Sequence, residues 1–169
     1  GYAFPGAVLG LGILIPLATF DNWLADLVLA SLRRDPGLLL TGSAGALIVA
    51  YCVRFFAIGV GAAEAGLAAI STNIPLAAST LGRGPKDVLV NIYQPLMRGS
   101  LASAMVLVFV DTVKELPATL LLRPFNFDTL STHVYAQASL ENFHGSTPAA
   151  LLIITLSLGA IFLLAKAHR

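Results

Sequence analysis

Three ionisable residues, Asp111, Lys114 and Glu115, lie inside an otherwise apolar run of the sequence. A charge at the centre of a bilayer costs about 3 kcal/mol on insertion scales, so such residues are expected to face a bundle interior or a water-filled path. Their positions favour a role in the passage or gating of a solute or ion. Asp111 and Lys114 are three residues apart on one helical face, and this spacing predicts an ion pair.

A fourth intramembrane charge, Arg54, belongs to the preceding apolar run. At 1.5 Å per helical residue, Arg54 is placed about 24 Å from the outer face, and Glu115 about 22 Å from the inner face. In a bilayer of about 30 Å these depths differ too much for a direct Arg54–Glu115 pair. Arg54 is predicted instead to reach toward cytoplasmic headgroups, or to contact Asp111 if the helix registers shift.

Pro117 follows these charges closely. Proline has no amide hydrogen, so it should bend or break the helix and leave carbonyl groups near Val113 free to line a cavity. Two hypotheses stay open for this region. Asp111, Lys114, Glu115 and Pro117 form a translocation path or gate, or the charges are a structural ion-pair cluster between helices.

The composition places the chain in a membrane. Hydrophobic residues make up 57% and charged residues 11% of the 169 residues, and the mean hydropathy is +0.84. Four apolar runs of near-spanning length predict an all-α polytopic helical bundle that forms a single domain. They cover about 5–20, 38–58, 101–122 and 149–165.

Other features of the composition exclude more than they assign. The net charge of +1 gives no reason to expect nucleic acid as a partner, and the lone Cys52 cannot form an internal disulfide. The chain opens at Gly1 rather than at a methionine and has no basic signal-peptide start. We therefore expect it to be a segment of a longer protein whose leading helices are missing.

Small residues recur at four-residue spacing in the first two runs. Gly6 with Gly10, and Gly42 with Ala46, are predicted to let helices approach each other closely.

The distribution of basic residues predicts the orientation. Placing the stretch 74–96 and the C-terminus in the cytoplasm puts five basic residues inside and three outside, and Trp23 fits an interfacial anchor. The inside residues are Arg83, Lys86, Arg98, Lys166 and Arg169, and the outside residues are Arg33, Arg34 and Arg123. The segments 21–37 and 123–148 are then external loops.

The half-polar stretch 74–96 separates two very apolar runs. Pro75 suits the first turn of a short helix, with Thr72 and Asn73 as candidate caps, and Gly82 suits a left-handed end. A second short helix is predicted to start at Gly84-Pro85. Such a helix–glycine–helix unit has an apolar edge that needs a cover, and a protein partner is one candidate.

The spacing within this stretch follows the pattern E-A-A, three residues, G, nine residues, I-x-L-P. The matching positions are Ala77, Ala78, Gly82, Ile92 and Pro95. Leu76 stands where the pattern has Glu, and Gln94 where it has Leu. The stretch thus resembles the coupling loop of the inner-membrane permeases of binding-protein-dependent ABC importers.

The resemblance also covers 51–55, 110–125 and 127–130, which look like the ferric-iron-type permeases, in particular the second of their two tandem halves. It implies a type I importer transmembrane domain in the bacterial inner membrane, with a cytoplasmic coupling loop at about 66–100 that docks on an ATP-binding subunit. A periplasmic solute-binding protein and a second permease half, in the same chain or a dimer, are the other implied partners. Ferric iron is the implied solute, and thiamine or another small solute is the alternative.

Enzymatic chemistry is not indicated. The sequence has no G-x-S-x-G, H-E-x-x-H or Walker A pattern, so ATP hydrolysis is expected in a separate subunit and no cofactor is expected. Several possible metal-binding side chains fall within 123–148: Asp128, His133, Tyr135, Glu141 and His144. Their spacing fits no known metal site, and contact with the solute-binding protein or a plain solvated loop is favoured.

Three functional classes remain. The chain is the permease of an ATP-driven importer, an ion-gradient transporter or channel that uses Asp111 and Glu115, or a membrane-embedded enzyme. The spacing of the loop motif favours the first.

Overall fold

The computed structural model describes residues 3–33 and 37–167, and every regular element within these ranges is a helix. The elements are α1 (Gly6–Leu32), α2 (Ala44–Ala68), α3 (Asn73–Thr80), α4 (Pro85–Val88), a π-helical turn (Leu89–Tyr93), α5 (Gln94–Leu96), α6 (Arg98–Val113), α7 (Pro117–Leu122), α8 (Leu130–Ser139) and α9 (Phe143–Ala167). The prediction of an all-α bundle is confirmed. Arg34 and Arg169, which entered the orientation argument, lie outside the described residues.

Three helices are long and apolar enough to cross a membrane. They cover Gly6–Ser31, Ala44–Ala68 and Phe143–Lys166. A fourth span is possible if Pro85–Leu96 and Arg98–Val113, which meet at a bend of 66°, are taken as one broken span. The chain is therefore a multi-pass membrane protein, as predicted.

Both segments predicted as external loops are largely helical. Helix α1 continues past residue 20 to Leu32, because no glycine or further proline interrupts it before Pro36. The segment 123–148 contains α8 and the start of α9. A capping box at Thr129 and Thr132 begins α8 there. The prediction of loops was wrong in both places, and the side of the membrane that each segment faces stays a prediction.

The predicted close approach at Gly6 and Gly10 is confirmed. A Cβ atom on Gly6 would lie 2.6 Å from Glu115 Oε1, and one on Gly10 would lie 3.1 Å from Leu121 Cδ1. These glycines let α1 pack directly against α7. The matching prediction for Gly42 was wrong, because Gly42 lies in the turn before α2 with a φ of +71° and has no described atom within 4 Å of a Cβ position.

The buried apolar core is small. Leu9, Leu47, Ala50 and Leu122 form one cluster where α1, α2 and α7 meet. Most large apolar side chains on α1, α2 and α9 point away from the bundle and are exposed. An apolar exterior around a small core is what a lipid-embedded bundle requires, since lipid solvates leucine as well as a protein interior does.

A buried carboxylate fixes the connection between α1 and α2. The side chain of Asp21 is 1% exposed. Its Oδ1 and Oδ2 each lie 3.0 Å from the donating Leu40 N–H, and Oδ2 lies 2.5 Å from the Thr41 N–H. Ser43 then begins α2, with its Oγ accepting from the Ala46 N–H at 3.3 Å. Asp21, which had been assigned to an external loop, therefore lies inside the bundle and accepts hydrogen bonds from the backbone that precedes α2.

Replacing Asp21 by Asn should lower the melting temperature of the protein in detergent, because the amide offers one acceptor oxygen where the carboxylate offers two. Asp26→Asn is the matched control, since Asp26 lies on the same helix and is exposed. Thermal unfolding of both variants tests the role of the cap. Equal melting temperatures for the two variants would contradict it.

Candidate functional site

The third predicted span is broken in the structure. Helix α6 ends at Val113, and α7 begins at Pro117, its first residue. Proline is favoured at this position because its missing amide hydrogen would have no partner there. The predicted break at Pro117 is confirmed, and the run 101–122 forms two helices. The segment between them, Lys114–Glu115–Leu116, is called the helix break below.

Glu115, in the helix break, pairs with Arg54 of α2. Glu115 Oε2 lies 3.1 Å from Arg54 Nε, and the two side chains are 7% and 16% exposed. The contact is ionic without an aligned hydrogen bond, since the buried Nε–H has no acceptor in hydrogen-bond geometry. Glu115 Oε1 also accepts from the Ala118 N–H at 3.3 Å. Arg54 donates to the Phe4 carbonyl at 3.2 Å.

The expectation that Arg54 and Glu115 do not meet was wrong. The depth count started the second span at residue 38, whereas α2 begins at Ala44. That difference moves Arg54 about 9 Å toward the level of Glu115. The count also treated the third span as straight, whereas α6 follows a bend of 66° and stops before Glu115.

Asp111 and Lys114 form the ion pair that their spacing predicts. Lys114 Nζ lies 2.7 Å from Asp111 Oδ1. The two ion pairs flank a cavity of about 450 Å³. Its lining residues are Arg54, Phe55, Asp111, Lys114 and Glu115. Pro117 is not among them, and it acts on this site by starting α7.

Hydroxyl groups satisfy the backbone at the helix break. The Glu115 carbonyl accepts from Thr119 Oγ1 at 2.9 Å and from Ser131 Oγ at 2.7 Å. Thr119 Oγ1 in turn lies 2.5 Å from the Tyr51 hydroxyl. Sequence reasoning missed all three residues. A proline break signals that hydroxyl side chains should be nearby, but not which ones. The expected free carbonyls near Val113 stay a prediction.

The stretch 74–96 has the predicted helix–glycine–helix form. Gly82 has a φ of +78° after α3, and α4 begins at Pro85 with Gly84 before it. The predicted caps were wrong: in this described part of the chain, Thr72 has helical backbone angles and its side chain makes no capping hydrogen bond, whereas Ser71 Oγ accepts from the Asn73 N–H at 3.4 Å. A π-helical turn, unforeseen from the sequence, precedes Pro95.

This stretch presents apolar side chains on its surface. Leu76 is 63% exposed, Leu81 is 81% exposed, and Leu89 is 60% exposed. Ala78, by contrast, is buried. An ion pair of 2.9 Å between Arg83 and Asp87 closes the glycine corner. We call the residues 73–96 the leucine-exposing loop.

Some polar residues of 123–148 make local contacts with one another. Asp128 pairs with Arg123, and Thr132 donates to Asp128 at 3.3 Å. Within the described ranges, no three His, Cys, Asp or Glu side chains are grouped in a way that could hold a metal ion.

Spanning helices, a broken helix with a buried ion pair and a leucine-exposing loop together define a polytopic α-helical membrane protein. The chain is 32% identical over 120 residues to the Fe(3+)-transport system permease protein FbpB 2 of Haemophilus influenzae, covering 71% of this chain and 24% of that protein. It is 25% identical over 156 residues to the putative 2-aminoethylphosphonate transport system permease protein PhnV of Salmonella typhimurium, covering 92% of this chain and 53% of that protein.

The chain is therefore homologous to the inner-membrane permeases of ABC importers, as its loop motif predicted. It matches about a quarter of the length of the first relative and about half of the second. No protein-family profile matches it.

Proposed function

We propose that this chain is the membrane-spanning part of an ATP-driven importer that moves a small solute across the bacterial inner membrane. The observation that carries the proposal is the leucine-exposing loop, which combines the motif spacing with an apolar surface lacking a cover in the described chain. Ferric iron is the proposed solute, supported by the similarity to FbpB 2. A phosphonate is the second candidate, supported by the similarity to PhnV.

The leucine-exposing loop is the proposed docking element for a cytoplasmic ATP-binding subunit. The five motif residues are distributed along this element: Ala77 and Ala78 in α3, Gly82 at the corner, Ile92 in the π-helical turn and Pro95 in α5. Leu76 replaces the charged residue of the motif and is exposed. Docking would then depend on apolar contact and shape more than on that charge.

The ion-paired cavity is the proposed gate on the translocation path. Its four charges already neutralise each other in two pairs, Arg54 with Glu115 and Lys114 with Asp111. Such an arrangement suits a closed gate that opens when the charged residues exchange ion-pair partners. In the closed state, unpaired charges would carry a higher desolvation cost than paired ones. A periplasmic solute-binding protein would deliver the solute, and a second permease half would complete the path.

Reconstitution of the importer in lipid vesicles tests this function. Ferric-loaded periplasmic binding protein should stimulate ATP hydrolysis by the complex, and 2-aminoethylphosphonate with its own binding protein serves as the comparison. Stimulation by the phosphonate alone would move the solute assignment to the second candidate. Uptake that continues without any ATP-binding subunit would contradict the importer itself and favour an ion-gradient transporter.

Gly82→Val is expected to weaken docking of the ATP-binding subunit. A residue with a Cβ atom costs about 1–2 kcal/mol in the left-handed region, and more when β-branched, so the corner should rearrange. Gly84→Val is the control, because Gly84 has a φ of −74° and an extended ψ that valine adopts readily. Co-purification of the ATP-binding subunit with each variant is the measurement. Equal recovery with both variants would argue against a docking role for the corner.

A further inference from the structure

The first turn of helix α8 contacts the helix break through the side chain of Ser131. Along its length α8 packs against α9, with which it forms a hairpin. At its first turn, Ser131 Oγ donates to the Glu115 carbonyl at 2.7 Å. Ser131 is 8% exposed, so water does not compete freely for this bond. The contact joins residues 16 positions apart, one in the helix break and one in the hairpin, whose second helix α9 packs against α6.

The first turn of α8 is built to hold Ser131 in place. Thr129 and Thr132 form a reciprocal capping box, with distances of 2.8 Å and 3.3 Å between side-chain oxygen and backbone nitrogen. Ser131 Oγ also lies 3.0 Å from Thr129 Oγ1. Thr132 is 1% exposed. The hydroxyl of Ser131 therefore follows any movement of the whole hairpin rather than rotating independently.

The hydrogen bond from Ser131 is made to Glu115, the residue whose buried carboxylate pairs with Arg54. The carbonyl held by Ser131 and the carboxylate paired with Arg54 both belong to Glu115. The carbonyl and the side chain of Glu115 are linked through the ψ angle, so a rotation of this peptide group relative to Cα changes the direction in which the side chain leaves the backbone. Thr119 binds the same carbonyl but is four residues away on α7, so it moves with the helix break. Ser131 is the contact that ties the carbonyl to the α8–α9 hairpin.

We propose that Ser131 is a positioning residue for the Arg54–Glu115 pair and that the α8–α9 hairpin is the element that holds the gate shut. While the bond to the Glu115 carbonyl persists, the carboxylate is aimed at Arg54. Displacement of the hairpin removes one of the two hydroxyl donors and frees the helix break to turn. The gating part of this inference rests on the proposed function; the mechanical link between the hairpin and the helix break does not.

The mechanical link can be measured without solute or ATP-binding subunit. Spin labels would be placed on the protein in lipid nanodiscs through Ala136→Cys on α8 and Phe56→Cys on α2, in a Cys52→Ser background; these positions are exposed. Double electron–electron resonance should give one narrow distance distribution for the parent protein. Ser131→Ala should broaden it or add a second population, and Ser131→Thr should restore it.

Ser139→Ala is the matched control, because Ser139 is an exposed serine of α8 whose hydroxyl donates to the Tyr135 carbonyl of its own helix. It should leave the distribution unchanged. If Ser131→Ala fails to fold, Ser131→Val replaces it and should also broaden the distribution, since valine has the shape of threonine but no hydroxyl donor. A parent-like distribution for Ser131→Ala, or for Ser131→Val where that variant replaces it, would overturn the inference, as would failure of Ser131→Thr to restore it.

The gating part has its own readout in the reconstituted importer. Because Thr119 still donates to the same carbonyl, loss of the Ser131 hydrogen bond should raise the population of the released state about two- to twelvefold. Ser131→Ala should therefore raise basal ATP hydrolysis and lower its stimulation by the ferric-loaded binding protein. If the parent complex is stimulated, the test compares the ratio of stimulated to basal ATP hydrolysis. The same ratio in Ser131→Ala as in the parent would overturn the gating role. Absence of stimulation in the parent would count against the proposed function, while the distance measurement would still decide the mechanical link.

Discussion

Removing the Glu115 carboxylate while Arg54 remains is expected to destabilise the bundle by about 3–5 kcal/mol. Glu115→Ala leaves a buried guanidinium whose anionic partner, 3.1 Å away, is gone. It also removes the acceptor for the Ala118 N–H at the start of α7. Reversible unfolding in mixed micelles, compared with the parent protein, measures the loss.

The double variant Arg54→Met with Glu115→Leu is the control for this result. It removes both charges and replaces them with apolar side chains, so most of the lost stability should return. The same variant separates the two hypotheses for the charged cluster. If the double variant is stable but no longer transports, the charged pair acts as a gate. If it is stable and transports normally, the pair has a structural role only. A Glu115→Ala variant as stable as the parent would show that the pair contributes little.

A large side chain at Gly6 is expected to destabilise the protein by about 3 kcal/mol, the upper part of the range for overpacking. A Cβ atom there would lie 2.6 Å from Glu115 Oε1 and 3.2 Å from the Arg54 guanidinium. The end of a flexible side chain could ordinarily swing aside. Here the carboxylate is held by Arg54 and the Ala118 N–H, so Gly6→Leu should separate α1 from α7 and disturb the ion pair.

Gly12→Leu is the matched control, because Gly12 lies on the same helix and has no described atom within 4 Å of a Cβ position. Leucine there should be neutral or slightly stabilising, since it is a better helix former than glycine. The expected result in the same unfolding assay is a clear loss of stability for Gly6→Leu and no loss for Gly12→Leu. A Gly6→Leu variant as stable as Gly12→Leu would show that α1 and α7 tolerate a wider separation.

The sequence was most informative where one residue type decides the local structure. Pro117 predicted the helix break, Gly82 predicted a left-handed corner, and the spacing of Asp111 and Lys114 predicted their ion pair. Each of these depends on a few neighbouring residues, and helical geometry alone converts their spacing into a contact. Gly6 and Gly10 belong to the same group, because small residues at this spacing have few other uses in a membrane helix.

The features that sequence reasoning missed depend on where helices begin and how they tilt. The Arg54–Glu115 pair required the true start of α2 and the bend before α6. Asp21 was assigned to a loop, although its carboxylate caps a backbone 19 residues away. Ser131 was counted in a loop that is partly helix. Such long-range polar contacts have no local pattern, since any hydroxyl or carboxylate at the right place would serve.

The 66° bend between Pro85–Leu96 and Arg98–Val113 has a mechanical consequence. For two rigid arms at this angle, about 0.4 of a push along the first acts along the axis of the second, and about 0.9 acts across it. A force applied to the loop would therefore swing α6 sideways far more than it would slide it through the membrane. A force along the first arm would therefore rotate α6 about the bend. The end of α6 farthest from the bend lies next to the helix break that contains Glu115.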